Sequence, residues 1–180
     1  MMVDRVFKFK GSEVRFESGV WTFVKPGFVQ RIEENFENWL HVFPVLEYDP
    51  KSFIEFVKRP EVKGKDFPIT NLVAFAIRND GGYWLGLALE WLPFLDITYE
   101  IIESIKVRHR ETSQKNRNTL WKYIICWERE QSKQLWEGLP KENGDVCRSV
   151  FADSLKDQGI DYEMLSDGEI LVHGVIYKVV

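Results

Sequence analysis

The stretch from Asn71 to Leu95, NLVAFAIRNDGGYWLGLALEWLPFL, concentrates the chain's apolar surface and limits the folds open to the rest of it. Its pattern predicts two short helices joined by the turn Asn79-Asp80-Gly81-Gly82, where glycine is expected to supply positive φ. In the second helix Trp84, Leu87, Ala88, Trp91, Leu92 and Leu95 share one stripe. Leu85 and Leu89 widen it until only Gly86 and Glu90 lie outside. A helix apolar on nearly all sides must be enclosed, so this pair belongs at the centre of a fold, with Tyr83 and Glu90 the positions left to meet solvent.

Material to enclose it lies on both sides. Residues Arg5 to Val24 alternate as strands do: Phe7 and Phe9 oppose Lys8 and Lys10, Gly11-Ser12 marks a turn, Glu13 to Glu17 repeats the alternation, and Ser18-Gly19 precedes Val20 to Val24. Two or three antiparallel strands are expected, closed by Pro26-Gly27. From Phe28 to Phe43 the apolar positions Val29, Ile32, Phe36, Trp39, Leu40 and Phe43 fall at helical spacing, opposite Glu33, Glu34 and Glu37, and predict an amphipathic helix. Asp49-Pro50 reads as a cap and first residue of a shorter helix with Phe53, Ile54 and Val57 inward. After the central pair, Ile97, Ile101, Ile102 and Ile105 predict a third core helix. A polar run, 110–118, gives way to another with Leu120, Tyr123, Ile124, Trp127 and Leu135 on its stripe.

At Lys141-Glu142-Asn143-Gly144-Asp145 the pattern changes class. Val146, Val150, Phe151 and Leu155 form one more helix, ending at Gly159 in a left-handed cap. Asp167-Gly168 between two apolar runs is the strongest hairpin signal in the chain. The expectation is therefore an α+β protein, a predominantly helical core with short antiparallel β ribbons at its N- and C-termini. It divides into residues 1–140 and a helix plus hairpin, 141–180, packed on the same domain. Whether the two ribbons share one sheet is left open by the pattern.

Composition excludes some classes of function. At 180 residues, 44% hydrophobic and 29% charged, the chain is too apolar for disorder and large enough for a substantial core. A net charge of −4 gives no global attraction to nucleic acid or an anionic membrane. No apolar run is long enough to span a bilayer and the first residues lack a signal sequence's apolar segment, so a cytoplasmic location is expected. Cys126, between Ile125 and Trp127, reads as a buried thiol, and with Cys147 it makes neither a disulfide framework nor a zinc spacing.

Chemistry is harder to locate. His41, His109 and His173 lie on different elements without partners at ligand spacing, and no Walker loop, H-E-x-x-H, G-x-S-x-G or G-x-G-x-x-G occurs. Glu33 with Glu37, and Glu128 with Glu130, could pair for acid-base work, but a solvated helix face is the simpler explanation. No catalytic residue, metal or cofactor is assigned. Charge is unevenly spread: Lys106, Arg108, Arg110, Lys115, Arg117 and Lys122 face the single acid Glu111 within residues 106–122, whereas 128–169 is acidic. The basic segment could hold an anion, or nucleic acid, although it has no interleaved aromatic for stacking.

The run Asp80-Gly-Gly-Tyr83-Trp84-Leu-Gly-Leu-Ala88-Leu89-Glu-Trp91-Leu92 resembles the helix pair of small bacterial proteins, some of which are immunity proteins that neutralise a toxin made by their own cell. The resemblance implies a non-enzymatic, cytoplasmic binding protein whose acidic surface covers a basic partner, such as a nuclease toxin's substrate cleft. The acids that would form this surface are Glu33, Glu34, Glu37, Asp157, Asp161 and Glu163. The alternative is a nucleic-acid-associated protein using Lys106, Arg108, Arg110, Lys115 and Arg117.

Overall fold

The computed structural model describes residues 5–32, 38–58, 66–139, 144–165 and 168–178. The chain forms two compact units, Met1–Arg117 and Asn118–Val180. The compositional break at 141–145, of which 141–143 lie outside the described residues, falls inside the second unit.

The first unit begins with a four-stranded antiparallel meander, β1 (Arg5–Phe9), β2 (Ser12–Glu17), β3 (Val20–Lys25) and β4 (Phe28–Ile32), in sequential order. Alternation decides its faces. Phe7, Val14, Phe23 and Gln30 are in register across the sheet, as are Phe16, Trp21 and Ile32, and Val14, Phe16, Trp21, Phe23 and Ile32 are buried. The helix expected from Phe28 to Phe43 does not form over its first residues. Gly27, at φ +73°, reverses the chain into a fourth strand, and the period there is two: Val29 is 67% exposed and Ile32 is 4%. The spacing of three between these two β-branched residues imitates a helical face, but strand pairing with β3 prevails. Trp39–His41 and Phe43–Glu47 are short 3-10 turns; they bury Trp39, Phe43, Val45 and Leu46.

The inner face of the sheet meets α1 (Pro50–Val57). Asp49 caps it by accepting from the Ser52 amide at 2.8 Å, with Pro50 at the first helical position. The Phe7 ring lies 5.3 Å from both Phe53 and Phe56, and Trp21 packs edge-on to Phe67 at 5.5 Å. Beyond this aromatic layer lie α2 (Ile69–Asn79), α3 (Tyr83–Trp91) and α4 (Tyr99–His109). α2 packs on both α3 and α4, burying Leu72, Val73, Ala76 and Ile77 against Leu85, Ala88, Trp91, Ile101, Ile102 and Ile105. Trp91 donates its indole N–H to the Leu46 carbonyl at 3.0 Å, so the buried tryptophan of the central pair is also satisfied as a donor.

The α2–α3 turn is built differently from the expectation. Neither Gly81 nor Gly82 has positive φ. Instead Asp80 Oδ1 accepts from the Gly82 and Leu85 amides at 2.9 and 3.3 Å, covering the open end of α3. Gly82 takes φ −121° and ψ −118°, a combination that side chains disfavour. Tyr83 and Glu90 face solvent, as the stripe requires.

The second unit contains most of α5 (Gln114–Gly138), α6 (Gly144–Asp157) and a three-stranded antiparallel sheet, β5 (Glu163–Met164), β6 (Ile170–Val172) and β7 (Val175–Tyr177). The terminal ribbons are thus two separate sheets. Phe151, Leu155, Ile160, Ile170, Val172 and Tyr177 form its core, with Leu135 and Trp136 packed against them. α6 ends as its sequence implies: Gly159 is left-handed at φ +64° and the Ile160 amide returns to the Leu155 carbonyl at 2.9 Å. The α+β architecture, helices in the middle and antiparallel strands at both ends, is the one the patterning describes. No described helix is long and apolar enough to cross a membrane.

Candidate functional site

α5 places Leu120, Ile124, Glu128 and Ser132 one turn apart, and all four are buried. The third member of an otherwise core-facing stripe is therefore a carboxylate, 4% exposed, whose Oε2 lies 2.5 Å from His173 Nε2. His173 is held in the left-handed region at φ +46°, the first of two turn positions between β6 and β7; Gly174 follows at φ +82°. Arg129 donates from Nε to the His173 carbonyl at 2.8 Å, and its Nη2 donates to the same oxygen. One turn on, the Ser132 hydroxyl meets the Tyr177 hydroxyl at 2.8 Å, and the Trp121 ring stands edge-on to the imidazole at 6.1 Å. Glu128 and Ser132 thus fasten the turn before β7 and the last residue of β7 to α5. Chemically, a carboxylate against an imidazole fixes the ring's orientation and tautomer, the arrangement on which general bases and metal ligands depend. Among the described residues no group of three His, Cys, Asp or Glu is placed to hold a metal ion.

This pair corrects one expectation: Glu128 is not on a solvated face beside Glu130, and it meets His173 from a different element. The spacing of 120, 124, 128 and 132 carried the signal, because continuing a buried stripe at every fourth residue puts Glu128 inside. Cys126 is exposed, since two residues from Ile124 or Glu128 is more than half a turn away from that stripe. Cys147 is the buried thiol.

The acidic residues assigned to partner binding separate into two sets. Glu33, Glu34 and Glu37 lie outside the described residues. Asp157, Asp161 and Glu163 are exposed in the second unit, at the end of α6, in the link after it and in β5. None of the three makes an ion pair among the described residues. Register places Glu163 beside Leu171, and Leu171 beside Ile176. This row occupies the sheet face opposite Ile170 and Tyr177, which enter the core. Ile176 is 56% exposed.

The basic segment is partly used within the first unit. Arg108 donates from Nε to the Ile77 carbonyl at 2.9 Å and from Nη2 to the Arg78 carbonyl at 2.6 Å, closing the C-terminal end of α2, and pairs with Glu111 at 3.5 Å. Arg117 donates to the Thr112 carbonyl at 3.3 Å. Lys106 is half-buried; Arg110 and Lys115 are exposed. Burial first, then the charges of Arg117 and Arg110, hold the His109 imidazole below its ordinary value of 6.5.

Fold and surfaces together define a two-unit α+β protein with an acidic, partly apolar face on its second unit. Compared with known proteins, the chain matches no family model, no curated sequence and no solved structure.

Proposed function

We propose that the protein is a non-enzymatic binding module whose second unit docks a basic protein partner. The supporting observation is the outward row Glu163, Leu171 and Ile176, with the carboxylates of Asp157 and Asp161, which make no ion pair among the described residues, in the segment that leads into it. An apolar centre with a charged rim is the usual anatomy of a protein interface. Asp157 strengthens the reading because it ends α6, where the helix's free carbonyls favour a cation and disfavour an acid. A charge kept where the fold gains nothing from it is expected of a residue that serves an encounter. Such charges set association rate and partner choice more than affinity.

In its specific form the reading is of a bacterial toxin-neutralising immunity protein acting in the cytoplasm, its acidic face laid over the basic substrate cleft of a toxin domain. The test is capture of a partner by the intact chain, repeated with Ile176→Asp and with Asp157→Lys, Asp161→Lys and Glu163→Lys combined. A basic partner retained by the wild type and lost by both variants is expected. Retention by the variants sinks the reading, and failure of co-expression to protect cells from that partner removes its specific form.

A further inference from the structure

The order β5–β6–β7 makes β5 an edge of the second unit's sheet, paired on one side only. Antiparallel ladders alternate hydrogen-bonded and non-bonded residue pairs. The Leu165 amide donates to the Glu169 carbonyl at 2.9 Å, so the next pair, Met164 with Ile170, is non-bonded, and Glu163 with Leu171 is bonded again. Glu163 therefore directs its N–H and C=O to β6, and Met164 directs its own to the open side. Tyr162 continues that alternation: its side chain packs against the core, while Asp161 and Glu163 are exposed. Among the described residues the main-chain groups that Tyr162 and Met164 turn outward have no partner.

The side chains along this edge fall into two rows. Asp161 and Glu163 stand two residues apart on the outer one, and neither is ion-paired among the described residues. On the core side Met164 is in register with Ile170, and Ile170 with Tyr177; those two are buried, yet Met164 is 53% exposed. Protection against unwanted pairing explains a short, acidic edge strand. It does not explain an apolar side chain left half uncovered at the open end of a core row. The acids also disfavour a second β5 in that place, since like charges opposed across strands repel.

We infer that β5 receives an extended segment of the partner as a fourth, antiparallel strand in which basic and apolar residues alternate. The inference rests on the docking face proposed above and specifies how the partner enters it. Main-chain bonds to Tyr162 and Met164 hold the strand, and the alternation of its side chains selects it. Its basic residues lie opposite Asp161 and Glu163 and extend the row Glu163, Leu171 and Ile176. Its apolar residues lie opposite Tyr162 and Met164 and extend the row Met164, Ile170 and Tyr177, covering the exposed methionine. A partner helix could meet the charges but would cover the open main-chain groups without bonding them.

The probe is the capped peptide Thr-Lys-Val-Lys-Val-Lys-Thr, added to the intact chain, with amide hydrogen exchange read residue by residue. At saturation exchange is expected to slow at least about tenfold at Tyr162 and Met164 and to stay nearly unchanged at Glu163, whose amide already faces β6. Affinity should fall about tenfold in Asp161→Lys combined with Glu163→Lys and hold in Glu137→Lys. N-methylation of the peptide's valines, whose N–H groups face β5, should abolish binding, whereas N-methylation of its central lysine should not. Absence of binding, unchanged exchange at Tyr162 and Met164, or equal binding of the N-methylvaline peptide or of the reordered Thr-Lys-Lys-Lys-Val-Val-Thr would overturn the inference. Loss of a captured partner in Ile176→Asp and in the triple acid variant would in that case leave the docking face standing without a strand mode. Protection of the two amides that grows with protein concentration in the absence of peptide would assign the edge to a second copy, and would overturn the inference as well.

Discussion

Glu128 occupies a position where leucine would complete the stripe, and the reason is the imidazole it holds 2.5 Å away. Burying a carboxylate is unfavourable unless it is hydrogen-bonded, so the pair is stable only while both partners are present. Glu128→Gln keeps the shape and weakens the charge-assisted bond, and is expected to cost about 2 kcal/mol in urea denaturation. His173→Gly separates the bond from the backbone, because glycine accepts the left-handed turn without strain. If the pair dominates, His173→Gly destabilises; if strain dominates, it stabilises. Asp49 offers a titration at the same scale. Hydrogen bonds from the Ser52 side chain and amide, aided by Lys51, hold its carboxyl below the ordinary 3.8. A depressed acid contributes stability that is complete above its unfolded value and is lost as pH falls through its folded value. Asp49→Ala should therefore lower the melting temperature at neutral pH, and the difference from wild type should vanish well below pH 3.8. The Asp49 cap could be read from Asp-Pro alone, since both its parts are adjacent in sequence. The Glu128–His173 pair could not, because its members are on different elements and only the fold brings them together.

Elements whose period is long or punctuated were legible, and short ambiguous ones were not. α2, α3, α4 and α6 were readable because their buried residues recur over several turns and defined residues bound them. β4 was misread because five residues beginning with Phe28 and Val29 supply too few repeats to separate a period of two from 3.6. The turn chemistry around Gly27 decides it. The helix ends also show where charge serves structure. Arg108 is spent on the carbonyls of Ile77 and Arg78, so Arg108→Ala should cost about 1–2 kcal/mol in thermal melts by leaving them without a donor. Asp157 is the opposite case. Replacing it with asparagine removes an acid from the end of α6 and should add roughly 0.3–1 kcal/mol. A residue whose removal stabilises the fold has its justification outside the fold.

At the scale of the whole molecule, α+β class and the placement of strands at both ends were legible because they depend on many residues at once. The candidate surfaces were legible only in part: Asp157, Asp161 and Glu163 are exposed as expected, but the apolar row beside them emerges only when register pairs Glu163 with Leu171 and Leu171 with Ile176. If that face receives a basic partner, attraction acts before contact, across about one Debye length, or 8–10 Å at physiological salt. Reversing all three acids to lysine changes local charge by six without touching a core residue. The association rate measured by stopped flow should then fall by about ten- to a thousandfold at low salt. The loss should shrink as salt is raised, because screening removes the same attraction from the wild type. Ile176→Asp should do the reverse, leaving the association rate nearly unchanged and accelerating dissociation, since it removes apolar contact made only after docking. A common effect of both changes on one rate would show that charge and apolar surface do not act as separate parts of one interface.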